Sequence, residues 1–158
     1  MIPIRAVLFD YGLVLSGPPD PAAERRLGEL LHAGRADFDE AYWQYRDDYD
    51  RGILTGPAYW SKVARDLHQP LRDGLLDEAT LAALIDADTA LWTQPNQPMI
   101  DWAASLQHNG IRTGILSNIG DAMETGIRAR FEWIDTFDHH TFSHRLGIAK
   151  PDPAIYSY

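Results

Sequence analysis

Four side chains in this 158-residue chain could together perform a displacement: Asp10, Ser117, Asn118 and Lys150. Asp10 closes an apolar run at 4–9 (IRAVLF), and Ser117-Asn118 closes a second at 111–116. Lys150 follows a third candidate strand, 139–143, by a short loop. In an open parallel sheet, ligands bind outside the carboxyl ends of the strands. A carboxylate there can attack, a hydroxyl and backbone amides can hold the leaving group's oxygens, and an ammonium can neutralise charge. Taken singly, each has a plainer role. An Asp before Tyr11-Gly12 also suits a turn, Ser-Asn also starts turns, and a Lys before a proline also suits a solvated loop. Their joint order and spacing make them a candidate site.

Such a site needs a scaffold. The run at 4–9 suits a strand buried on both faces of a parallel sheet. Asp20 reads as an N-cap with Pro21 at the first helical position and Gly34 as the stop. Phe38, Tyr42, Tyr45 and Tyr49 lie four, three and four apart, one face of a helix. Thr55 caps another, with Trp60, Val63, Ala64 and Leu67 as its stripe. Asp77 caps a further one, with Leu81, Leu84, Ile85 and Leu91 facing inward. After the loop at 94–98 the pattern changes to a helix over 99–109, a strand at 111–116, a helix at 121–130 and a strand at 139–143. A loop over 145–150 and a helix from Pro151 follow. This alternation predicts an α/β fold: a parallel sheet of order 1-2-3 over residues 1–15 and 96–158, with an all-helical insert at 16–95.

Other residue types are weaker candidates. His139, His140 and His144 have no acidic or cysteine partner at a recognised zinc spacing, so a solvated strand end is their expected role. His140 and His144 would share one strand face. The aromatics Tyr42, Trp43, Tyr45, Tyr49, Tyr59 and Trp60 are expected to pack the insert, with one or two lining a pocket. Arg46 is the insert's candidate for an anionic group, although a solvated pair with Asp50 at i+4 is the expected arrangement.

Composition bounds the function. Apolar residues make up 45% and charged residues 23%, as in ordinary globular domains. No apolar run approaches the ~18–20 residues of a membrane span, and the N-terminus lacks a secretory pattern. Cysteine is absent, which excludes disulfides and thiolate chemistry and fits a cytoplasmic protein. Acidic residues outnumber basic ones by 23 to 14, for a net charge of −9. That field disfavours nucleic acid and anionic membrane as partners and leaves a small-molecule substrate. An anionic substrate would need a lysine, backbone amides or a metal ion to offset it.

The motifs are more specific than the composition. AVLFD at 6–10, GILSN at 114–118 and GIAKPDPAIY at 147–156 resemble, in order, the first three motifs of the haloacid dehalogenase (HAD) superfamily. The helical insert between the first two resembles that family's cap. The resemblance covers residues 4 to 156 and implies a Rossmann-like parallel sheet with an inserted helical cap. It makes Asp10 the nucleophile that forms a covalent aspartyl intermediate, with Lys150 balancing charge and Ser117 holding a substrate oxygen. The family's phosphatases hold Mg²⁺ through the nucleophile, the carbonyl two residues on, and acidic residues of a fourth motif; here that gives Asp10 and Gly12.

Two departures shape the expectations. Gly12 stands where the phosphatase signature has a second Asp, the general acid, and a glycine cannot protonate a leaving alkoxide. The usual Gly-Thr after that motif is absent too. Dehalogenases of the superfamily also lack the acid, and Asn118 resembles their halide-binding Asn. The family pattern also continues past the third motif, with two more strands and the acidic fourth motif, whereas this sequence runs to Tyr158. The resemblance therefore implies a fragment with weak Mg²⁺ binding, poor catalytic competence and an open edge at strand 4–9 that a second copy could cover as a homodimer. The leading expectation is a phosphatase of a small phosphorylated metabolite. The alternatives are a hydrolytic 2-haloacid dehalogenase and a non-catalytic HAD-like binding protein.

Overall fold

The computed structural model describes residues 3–157; residues 1–2 and 158 of the expected core segments lie outside them. Strand β1 (Ala6–Phe9) runs into a tight loop over Tyr11–Leu15, then come helices α1 (Pro21–Leu30), α2 (Arg35–Gln44), α3 (Arg46–Asp50), α4 (Gly56–Asp66) and α5 (Glu78–Leu91). Helix α6 (Gln97–His108), β2 (Arg112–Ser117), α7 (Asp121–Arg130), β3 (His139–Phe142) and α8 (Ser143–Leu146) complete the chain, with a 3₁₀ turn at Pro153–Ser157. The sheet has the order β1-β2-β3 and both pairings are parallel. Leu8 lies opposite Gly114, which in turn lies opposite His139. No helix among the described residues is long and apolar enough to cross a membrane.

The caps act as their sequence suggests. Asp20, Thr55 and Asp77 accept hydrogen bonds from the first-turn amides of Ala22, Ala58 and Thr80, each satisfying a donor that has no partner within its helix. Gly34 does not stop α1; that helix ends at Leu30, His32 turns the chain with a φ of 46°, and Gly34 is the N-cap of α2. The single tyrosine face is interrupted at Tyr45, which separates α2 from α3. The expected helix at Pro151 is replaced by a turn: the Asp152 carboxylate accepts from the Ala154 amide, and only the 3₁₀ turn follows. The expected loop after β3 begins as the short helix α8, closed by Gly147 at a φ of 70°.

Two apolar clusters form. One, within the helical insert, gathers Leu27, Tyr42, Tyr49, Tyr59, Trp60 and Leu84. The other packs Phe9, Ile115, Ile127, Ile134 and Phe142 between the sheet and α6–α7. A fully buried large side chain contributes roughly 1.5–3 kcal/mol, so each cluster is a substantial stabilising unit. Their seam is close. A Cβ at Gly120 would lie 2.1 Å from the Tyr49 ring, and one at Gly126 would lie 2.4 Å from the Thr89 hydroxyl. The Tyr49 hydroxyl accepts from the Met123 amide, and Asp121 accepts from the Gly56 amide. Strand β1 departs from full burial: among the described residues it pairs only with β2, and Ile4 and Leu8 are 73% and 55% exposed.

The histidines also depart from expectation. Because β3 ends at Phe142, His144 lies on α8 and shares no strand face with His140. His144 is not solvated: its Nε2 meets the buried Glu124 carboxylate at 2.7 Å. Arg145 reaches both oxygens of Glu124, and Arg128 adds a fourth contact at 2.8 Å. Burial by itself raises this carboxyl, but hydrogen bonds from His144, Arg128 and Arg145 outweigh it and hold its pKa at about 2 against an ordinary 4.5. A depressed carboxyl stabilises the fold above its unfolded pKa and loses that contribution as pH falls through its folded pKa. Glu124→Gln should therefore cost up to about 3 kcal/mol at neutral pH. Urea unfolding curves of variant and parent should converge as pH falls from 4.5 towards 2; an equal gap at both ends would contradict this role.

Candidate active site

β1 and β2 end side by side because Phe9 pairs with Ile115. That register carries Asp10 past the end of β1, next to Leu116 and Ser117. The Lys150 ammonium meets Asp10 Oδ2 at 2.5 Å and donates to the Leu116 carbonyl at 3.2 Å. The other Asp10 oxygen accepts from the Tyr11 amide at 2.8 Å. Lys150 and Asp10 side chains are 22% and 40% exposed, so the pair stands at the rim, open to a ligand. Ser117, the last residue of β2, is buried.

Asn118, expected as a substrate ligand, also bonds the main chain of Lys150. Its Oδ1 accepts from the Lys150 amide at 2.7 Å, and its Nδ2 donates to the Lys150 carbonyl at 3.0 Å. The side-chain amide thus grips both main-chain groups of one residue, as a neighbouring strand would. Position 118 holds the lysine's backbone, while position 150 supplies the charge.

A cavity of about 180 Å³ lies between this rim and the helical insert. Its floor is Tyr11, Gly12, Ser117 and Asn118; Arg46, Asp50, Trp43 and Trp92 come from the insert or its edge. Asp10 and Lys150 are not among its walls, but their bonded or gripped neighbours are. Hollows of about 550 and 650 Å³ lie on the outer side of the insert, around Arg25 and His32 and around Glu40 and Arg65. They contain none of the strand-end residues, so size does not make them the chemical site.

Arg46 is buried rather than solvated. Its Nε donates to Asp50 at 3.0 Å, a guanidinium nitrogen bonds the Tyr42 hydroxyl, and Asp88 stands 3.6 Å away. Tyr42 also donates to Asp88 at 2.7 Å. Burial raises the Asp50 and Asp88 carboxyls, with Arg46 opposing that rise in each. Burial likewise pushes the Tyr11 hydroxyl well above its usual range; it donates to the Trp92 carbonyl at 3.0 Å. Asp88 was legible in one respect: it sits four residues after Leu84 and three before Leu91, a charge within an apolar stripe. Such a residue needs a buried partner.

Magnesium finds donors of the right class here, though few. The Asp10 carboxylate and the Gly12 carbonyl are hard oxygen ligands, and a Cβ at Gly12 would touch nothing within 4 Å, so that side is open. Among the described residues no three His, Cys, Asp or Glu side chains cluster as a metal site. A cation that prefers octahedral oxygen coordination would take its remaining ligands from water and substrate.

A three-stranded parallel sheet with an Asp–Lys pair at its carboxyl rim and a helical insert after its first strand defines an α/β, Rossmann-like scaffold. The chain matches the haloacid dehalogenase-like hydrolases over residues 4–158, and it belongs to that family. It is 30% identical over 164 aligned positions to bifunctional epoxide hydrolase 2 of Sus scrofa, which spans 97% of this chain but only 30% of that protein. The fold is also that of a HAD family enzyme from Bacteroides thetaiotaomicron, solved as a mutant in complex with magnesium and inorganic phosphate. That pair shares 18% identity at a TM-score of 0.73, covering 98% of this chain and 76% of the other. L-2-haloacid dehalogenase from Xanthobacter autotrophicus, solved with chloropropionic acid covalently bound, aligns with 22% identity and a TM-score of 0.59. There the match covers 98% of this chain and 62% of that one.

Proposed function

We propose that the full-length protein is a phosphatase of a small, cytoplasmic phosphorylated metabolite, with Asp10 as its covalent nucleophile. The observation that carries this reading is the Asp10–Lys150 pair, 2.5 Å apart at the carboxyl rim of the sheet. Asp10 attacks phosphorus, an Asp–O–P bond forms, and the ester P–O bond breaks. The leaving alkoxide takes its proton from water, since Gly12 supplies none. A second water then attacks phosphorus and releases inorganic phosphate, regenerating the carboxylate. Lys150 and Ser117 hold the phosphoryl oxygens, and Asn118 keeps Lys150 in place. The Asp10 carboxylate and the Gly12 carbonyl would hold Mg²⁺, which when bound would supply further positive charge against the phosphate.

A 2-haloacid dehalogenase is the second reading, favoured by Gly12, because a halide leaves without a proton. Two observations count against it. The Asn118 amide is already taken up by the Lys150 backbone, and Arg46, the cation in the cavity wall, already faces Asp50 and Asp88. A haloacid's carboxylate would have to compete with both.

The full chain, offered p-nitrophenyl phosphate and chloropropionate in parallel, decides between them. We expect phosphate release that stops when EDTA removes Mg²⁺, and no halide release. Halide release that is indifferent to EDTA would replace this reading with the dehalogenase one.

A further inference from the structure

We propose that the cavity under the helical insert selects phosphate esters of small, uncharged, hydroxylated alcohols, and that Asp50 together with Arg46 does the selecting. This inference rests on the phosphatase reading above, since it takes the cavity as the place of the leaving group.

Size sets the first limit. About 180 Å³ holds about six waters at ~30 Å³ each and falls below the ~300–1,000 Å³ of sites for larger ligands. A short polyol fits within its walls, while a nucleoside or a disaccharide would project beyond them. The walls set the second. Trp43, Trp92, Tyr11, Ile119 and Met123 offer aromatic and apolar surface on which the C–H faces of a polyol can pack.

Charge sets the third limit and excludes most alternatives. Arg46 is the guanidinium that an anionic leaving group would seek. It is already held by Asp50 at 3.0 Å and by the Tyr42 hydroxyl, with Asp88 at 3.6 Å. Two carboxylates around one guanidinium leave surplus negative charge above the cavity. Asp50 lines that cavity and accepts from Arg46 through Oδ1. Its remaining acceptor capacity suits an incoming hydroxyl. A carboxylate or second phosphate on the same alcohol would instead be repelled, in surroundings where a like charge is weakly screened.

Glycerol phosphate and phosphoglycerate make a matched pair, differing by a hydroxymethyl group against a carboxylate. The full-length protein with Mg²⁺ should turn over glycerol phosphate with a kcat/KM at least about tenfold higher. In Asp50→Asn the ratio should shrink to within about threefold. Equal rates, or a preference for phosphoglycerate, would overturn the inference and leave the phosphatase reading standing. Binding of the free alcohols judges the cavity independently of catalysis and on the unaltered protein. Erythritol should change the fluorescence of Trp43 and Trp92, and glycerate at the same concentration should not. Quenching by glycerate alone, or by both equally, would refute the selection even if p-nitrophenyl phosphate is hydrolysed. Failure to hydrolyse any ester, with erythritol still selected, would instead remove the phosphatase reading and keep the cavity's preference.

Discussion

Asp10→Asn should lower phosphate-ester turnover by about a thousandfold or more, the scale of loss when a nucleophile is removed. An amide oxygen is a poor nucleophile and cannot form the aspartyl phosphate from which water releases phosphate. The substitution should leave the fold intact. The side chain is 40% exposed at the rim, and an amide oxygen can still accept from the Tyr11 amide as Asp10 Oδ1 does at 2.8 Å. Steady-state rates and a thermal melt of the same preparation check both halves. A variant that melts with the parent and keeps more than a tenth of its activity would remove Asp10 from the nucleophile's role.

Lys150→Met should reduce kcat/KM by about 10²–10³, the usual cost of losing one group that stabilises charge in the transition state. Without the ammonium, the Asp10 carboxylate and a phosphate dianion would repel each other across the rim with only the weakly held metal between them. Methionine keeps the apolar stem of the lysine out to the ε position and removes the ammonium. The Asn118 grip should survive because it acts on the main chain of residue 150, so the loop should hold its shape. The deficit should therefore appear in kcat/KM with stability nearly unchanged. A loss below about threefold would show that the 2.5 Å contact with Asp10 has no part in catalysis.

Much of this molecule was readable before folding. The helix starts at Asp20, Thr55 and Asp77 were legible because capping is local: the side chain bonds an amide two or three residues away. The parallel order of β1, β2 and β3 followed from apolar runs alternating with helical periods. Asp10, Ser117 and Lys150 stood out because each follows the end of one such run. The interruption at Tyr45 was not legible, because the four tyrosine-face residues keep helical spacing on either side of it.

What only the tertiary structure decided concerns partners far apart in sequence. Asn118 and Lys150 are 32 residues apart, and no local pattern tells an amide that binds substrate from one that grips backbone. Arg46 has Asp50 as a sequence neighbour, yet Asp88 and the burial of the whole group come from packing α5 against the aromatic cluster. His144 was expected at a wet strand end and instead reaches Glu124, since β3 stops two residues earlier. The sequence by itself determined the starts of α1, α4 and α5, the three strands and the residues that follow them, because hydrophobic period, caps and turns act over a few residues. Which charges meet, which are buried and which cavity they line was decided by tertiary packing, because pairing and desolvation depend on neighbours in space.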